Sequence, residues 1–80
     1  MSVMLVFLGN LADLAGAPDK HVPGPLDWRG LLDALPGPLG EAARGEKVKL
    51  ALNGTVLADK TALAAADGDE VALLPPVSGG

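Results

Sequence analysis

The chain has 80 residues, 49% of them apolar and 20% charged, with a formal net charge of −4 at pH 7. This length holds one small domain, and the apolar content excludes simple disorder. With no cysteine there is no disulfide framework, zinc–thiolate site or thiol nucleophile, and an acidic chain whose only aromatics are Phe7 and Trp28 lacks the basic, stacking surface of a nucleic-acid binder.

Val3 to Leu8 is a continuous apolar run of strand length, suited to a central strand buried on both faces. It is far too short to span a bilayer, and the N-terminus lacks the basic start and cleavage site of a signal peptide, so a cytoplasmic protein is expected. Asn10 is the expected N-cap of a short helix from Leu11 to Ala15, with Gly16 as its stop and Leu11 and Leu14 facing the sheet together. Ala17 to Pro25 is turn-rich; a short strand around Lys20-His21-Val22 is confined to a sheet edge by Pro23 and Pro25.

Asp27 is the expected N-cap of a helix carrying Trp28, Leu31, Leu32 and Leu35 on one stripe. Pro36-Gly37-Pro38 stops it, and Leu39 to Arg44 suggests one more helical turn closed by Gly45. Lys47 to Asn53 alternates strictly, with Val48, Leu50 and Leu52 on one side and Lys49, Ala51 and Asn53 on the other, as in a half-buried strand. Asn53-Gly54 is a tight-turn pair leading into a return strand at Thr55-Val56-Leu57. Asp59 to Ala66 reads as a loop or short helical turn carrying Leu63.

Asp67-Gly68-Asp69 is a turn, Glu70 to Leu74 a short apolar strand, and Pro75-Pro76 its end, since neither proline can donate to a ladder. Val77, Ser78, Gly79 and Gly80 follow. Residues 1–74 thus read as one domain and 75–80 as a C-terminal tail. The expected fold is an α+β roll with helices on one face and the first and last strands side by side in the middle of the sheet.

Alternation assigns the faces of those two strands. Val3, Leu5, Phe7, Val71 and Leu73 point to the core. Met4, Val6, Leu8, Ala72 and Leu74 point outward beside the charged Glu70. A contiguous apolar patch of this kind marks a protein interface, the alternative being that a loop of the chain covers it.

Other chemistry is weakly signalled. His21 has no paired nucleophile or metal partners and reads as a solvated loop residue. Asp67, Asp69 and Glu70 match no EF-hand spacing and read as solvated acids suited to basic groups on a partner. Gly37-Pro38-Leu39-Gly40 lacks the Gly-Lys-Ser/Thr ending of a phosphate loop. Trp28 reads as core. No metal site and no cofactor bound by the chain are expected.

The string Asp67-Gly68-Asp69-Glu70-Val71, two apolar residues, then Pro75-Pro76-Val77-Ser78-Gly79-Gly80 resembles the C-terminus of the MoaD-type small subunits of molybdopterin synthase, within the ubiquitin-like β-grasp sulfur carriers (MoaD/ThiS family). The apolar first strand followed by Leu11-Ala12-Asp13-Leu14-Ala15-Gly16, and Asn53-Gly54 after a strand, are similar to that family too. Ala17 to Lys47 matches only in pattern, and Leu73 and Leu74 stand where the family often has aromatics.

The resemblance implies a β-grasp fold and a heterotetrameric synthase. It also implies adenylation of the Gly80 carboxylate by an E1-like enzyme using ATP and magnesium, sulfur transfer from a persulfide donor protein to give a thiocarboxylate, and sulfur delivery to a pterin precursor in the large subunit for molybdenum cofactor biosynthesis. In such a role Gly79 and Gly80 let the backbone enter a narrow channel, Pro75 and Pro76 stiffen the tail's base, and Val77 and Ser78 are small linkers. This domain then supplies no catalytic side chain to the sulfurtransferase. A sulfur carrier of thiamin or amino-acid biosynthesis, and a ubiquitin-like modifier of lysines, remain alternatives.

Overall fold

The computed structural model describes residues 2–35 and 37–76. The first strand, β1 (Val3–Phe7), pairs antiparallel with β2 (Asp19–Val22) on one side. On the other it pairs in parallel with the last strand, β7 (Glu70–Leu74), in the register Leu5 opposite Val71 and Phe7 opposite Leu73. The far side of β7 pairs antiparallel with β4 (Lys49–Leu52), which turns back into β5 (Thr55–Val56). The resulting order is β2-β1-β7-β4-β5, so the two most apolar strands are adjacent at the centre, as their composition predicts. The turn between β4 and β5 is Asn53-Gly54, with φ of 50° and 87°, the conformation that makes this pair a hairpin signal.

Three helices pack on one face: α1 (Asn10–Ala15), α2 (Trp28–Ala34) and α3 (Gly37–Arg44). At α2, Asp27 is the expected N-cap, accepting the Gly30 backbone N–H at 2.8 Å. At α1 the expectation fails by one residue. Gly9 occupies the cap position, Asn10 is already helical, and no side chain caps the end. Backbone bonds serve the helix start instead, with Leu11 N–H donating to Leu8 and Ala12 N–H to Gly9.

Leu14 also departs from expectation. The helix is short, and of its two leucines only Leu11 is buried; Leu14 is 45% exposed. Helix α3 starts earlier than Leu39 because Pro38 sits in its first turn, where a missing N–H breaks no helical bond. Pro36 lies outside the described residues. Two further strands, β3 (Leu26–Asp27) and β6 (Ala64–Ala65), pair antiparallel as a separate two-stranded sheet, and a 3-10 turn spans Lys60–Ala62. Two-residue strands are too short to carry a period, so sequence reading missed them.

The core lies between the helices and the inner face of the large sheet. Val3, Leu5, Leu31, Leu50, Val71 and Leu73 are fully buried, and Trp28 packs half-buried against them. Lys60 closes the open end of α3: its ammonium donates to the carbonyls of Ala43 and Val48 at 2.8 and 2.7 Å and to that of Gly45, and lies 5.6 Å from the Trp28 ring centre. Desolvation, reinforced by nearby Lys49 and opposed by Glu46, holds its pKa below the usual lysine value.

The turn before β7 is tied down by its acids. Asp69 accepts the Ala66 N–H at 2.9 Å and the Asn53 side-chain N–H at 3.1 Å, while Asn53 Oδ1 accepts the Glu70 backbone N–H at 2.9 Å. These bonds, the backbone one first, hold the Asp69 carboxyl below the usual aspartate range.

Two outcomes follow from this architecture. A domain of this size has roughly 4–12 kcal/mol of stability in total. Leu50→Ala, which empties a fully buried site, should cost about 2–5 kcal/mol of it in urea unfolding. Because the folded-state pKa of Asp69 is depressed, its stabilising contribution is complete above the unfolded value of about 3.9 and is lost as pH falls through the folded one. Asp69→Asn should therefore flatten the acid side of a plot of urea midpoint against pH, with little slope change above about pH 6.

Candidate functional site: the tail exit and the outer sheet face

The site begins where β7 ends. Leu74 is the last residue in the ladder, and Pro75 leaves it half-buried. The chain crosses there over the loop between β1 and α1. The Leu8 N–H donates to the Leu73 carbonyl at 3.2 Å, extending the parallel pairing to the rim of the sheet. Pro75 then packs on Gly9, so closely that a Cβ on residue 9 would stand 3.1 Å from the proline Cγ.

Pro76 is exposed and lies along a groove of about 510 Å³ between α1 and α3. Its floor is apolar, made by Leu11, Leu14, Ala42 and Val48, with Glu41 and Lys47 among its polar lining. Val77, Ser78, Gly79 and Gly80, the tail residues singled out from sequence, lie outside the described residues.

The five outward residues come together as expected from alternation. Cα pairing sets Val6 beside Ala72 and Ala72 beside Ala51, with Val56 beside Ala51. A second row sets Met4 beside Glu70 and His21, and Leu74 lies beside Lys49. Met4, Val6, Ala72 and Leu74 are half-buried, and Leu8 is 41% exposed. Asp19, His21, Glu70 and Lys49 rim this apolar strip with charge or polarity. An apolar centre within a polar rim is the anatomy of a docking surface.

Sequence reading missed that Ala51 and Val56 extend the strip across the β4–β5 hairpin. The signal was present in the alternation of Lys49, Ala51 and Asn53, but it becomes legible only once β4 is known to pair with β7. Gly9 signals no more in the sequence than the end of the first strand.

The remaining candidates are drawn into the scaffold. His21 Nδ1 lies 3.1 Å from the Ser2 hydroxyl on the edge strand. Asp67 accepts the Gly24 N–H at 2.9 Å, and Asp69 is bonded as described, so two of the three acids are turn acceptors rather than free contacts for a partner. Among the described residues no cluster of His, Cys, Asp or Glu could hold a metal ion, and no helix is long and apolar enough to cross a membrane.

The profile of the ThiS family matches residues 5–80. Comparison with curated proteins gave no match. Among solved structures the chain is similar to small archaeal modifier protein 1 of Haloferax volcanii, at 32% identity over 100% of both chains with a TM-score of 0.71. It is similar to the protein of that name from Methanosarcina acetivorans, at 25% identity over 99% of this chain and 96% of the other, TM-score 0.75. It also resembles a chain in the complex of subunits 1 and 2 of the molybdopterin-converting factor of Helicobacter pylori, at 26% identity over 100% of both chains, TM-score 0.67.

Proposed function

Because the chain belongs to the ThiS family of ubiquitin-like sulfur carriers, we propose that it is the sulfur-donating small subunit of a molybdopterin synthase, loaded and unloaded at the Gly80 carboxylate. The observation that carries this reading is the tail. A Pro75-Pro76-Val77-Ser78-Gly79-Gly80 end continues from the central, most deeply anchored strand of the domain, at a rim flanked by an apolar face. The likeness to a chain of the subunit 1–subunit 2 complex of the molybdopterin-converting factor supports a large subunit as partner.

The chemistry explains the tail. A terminal carboxylate has a pKa of about 3.5 and is an anion at neutral pH, hence a poor electrophile. An E1-like enzyme with ATP and magnesium overcomes this: a carboxylate oxygen bonds the α-phosphorus, and pyrophosphate leaves. The terminal sulfur of a persulfide on a donor protein then attacks the acyl carbon and AMP leaves; a thiol cleaves the acyl disulfide to release the thiocarboxylate. That sulfur goes to a pterin precursor held by the large subunit. The chain itself contributes reach and orientation. Gly79 and Gly80 carry no side chain to obstruct a narrow channel, Val77 and Ser78 are small enough to follow them, and the two prolines lower the entropy lost when the tail is threaded.

On this reading Met4, Val6, Leu8, Ala72 and Leu74 form the docking surface for the large subunit and for the activating enzyme. A second reading is favoured by the 32% identity to small archaeal modifier protein 1: the same activated terminus would pass to lysine amines, making the chain a protein modifier.

Intact-mass analysis of the chain co-expressed with its activating enzyme separates the two. One sulfur gained for one oxygen lost, together with co-purification of a synthase large subunit, is the expected result; isopeptide adducts on many proteins without a thiocarboxylate would support the modifier instead. Gly79→Val should abolish the sulfur gain with the fold intact by circular dichroism, and normal loading would contradict the channel argument. Leu74→Glu should weaken large-subunit binding by at least about tenfold, since it places a charge in a desolvated apolar contact; unchanged affinity in a folded variant would remove this face from the interface.

A further inference from the structure

We propose that Gly9 is a positioning residue for the tail: its glycine-only backbone conformation creates the seat on which Pro75 rests, and this seat sets the direction in which the chain leaves β7. The proposal rests on the sulfur-carrier reading and adds to it a determinant far from the terminus in sequence.

Two observations carry it. Gly9 has φ 56° and ψ −135°, a region that side chains of L-residues essentially forbid. This conformation turns the chain sharply from β1 into α1 without a capping side chain. Independently, Pro75 crowds the space that a Cβ would take at residue 9, with its Cγ at 3.1 Å, so the proline would have to give way by a few tenths of an ångström. The neighbouring Leu8–Leu73 hydrogen bond of 3.2 Å fixes the two strands in register immediately before the contact. A methyl at residue 9 thus meets Pro75, the first residue of the tail, while Met4, Val6 and Ala72 of the outer face lie further along β1 and β7. The contact therefore governs where the chain leaves β7 more than how firmly the domain docks.

The experiment uses the full 80-residue chain, its cognate activating enzyme and ATP, and reads pyrophosphate release as kcat and KM for the carrier. In this step the carboxylate oxygen of Gly80 bonds the α-phosphorus as the bond to pyrophosphate breaks. Gly9→Ala is expected to lower kcat by about tenfold or more, since misplacing a reacting atom by about 1 Å is enough for that. Its KM should stay within about twofold, because docking is unaltered. Chemical synthesis with D-alanine at position 9 is the rescue. A D-residue reaches positive φ without strain, since the mirror image of this conformation is ordinary polyproline-like backbone, and its methyl replaces the other Cα hydrogen, not the one at the position that meets Pro75. Its kcat should return to within about twofold of wild type. Pro75→Gly removes the other half of the contact with no strain at residue 9, and is expected to lower kcat without raising KM.

Wild-type kcat in Gly9→Ala would overturn the proposal, as would a D-alanine variant as slow as the L-alanine one. If Gly9→Ala does not fold, Pro75→Gly is compared with Pro76→Gly, which loosens the base but takes no part in the Gly9 contact: a clearly larger fall in kcat for Pro75→Gly at constant KM supports the proposal, and a normal or merely equal kcat overturns it. A wild-type chain that releases no pyrophosphate with any E1-like partner refutes the sulfur-carrier reading itself, and this inference with it.

Discussion

The parallel pairing of β1 with β7 is the constraint on which the rest depends. It joins the first strand of the chain to the last, so every other element belongs to the connection between them. Parallel neighbours cannot be joined by a tight turn; they need a crossover that covers one face of the sheet. Here the crossover carries all three helices, and they bury Val3, Leu5, Val71 and Leu73 from the same side. Placing the last strand at the centre also means that the C-terminus departs from a strand hydrogen-bonded on both edges. The ladder therefore holds the chain as far as Leu74, the last residue that pairs with β4.

The two faces of that pair are treated differently. The inner face carries the large side chains that fill the space beneath the helices. The outer face is apolar but shallow, with Ala72 and Ala51 at its middle, so the strip is smooth enough for another surface to lie flat on it. The sheet edges are unsuited to the same purpose. β5 has two residues, and β2 exposes Asp19, Lys20 and His21, features that discourage further strand addition. On the proposed reading recognition therefore falls to a face rather than an edge.

Much of this was legible in the sequence because it rests on period and punctuation. The alternation of Lys47 to Asn53, the Asn53-Gly54 turn, the Asp27 cap and the Pro75-Pro76 stop each encode their own local structure, and the structure bears them out, with the strand itself shortened to Lys49–Leu52. What escaped was encoded by pairing across the chain. Ala51 is one small residue among many until it lies beside Ala72, and the β3–β6 pair leaves no trace in either two-residue strand. Asn10 was the natural cap by residue type, but the conformation of Gly9 moved the helix start one residue earlier. The acids around Gly68 looked free because a sequence does not show that Asp67 meets Gly24 or that Asp69 meets Asn53. The tail residues Val77 to Gly80 carry the functional reading through composition and position alone.

On the proposed reading the arrangement separates holding from reacting, and this separation has a physical reason. A tail slim enough to enter a channel has little surface with which to bind, so it contributes little affinity of its own. The outer face can supply that affinity, and its last residue, Leu74, immediately precedes Pro75. A partner that covers the face therefore holds the base of the tail in place, and the four residues beyond Pro76 can extend at most about 14 Å from it. Within that radius the terminus experiences an effective concentration set by the tether and not by free diffusion, on the order of millimolar for a short flexible link and higher for one that is stiffened and aimed. In that role prolines at the base would restrict the direction of the tail, and glycines at the tip would permit its entry. Exchanging the two pairs would leave the composition unchanged but give a loose base and an obstructed tip, so the order of residues carries the function as much as their identity does.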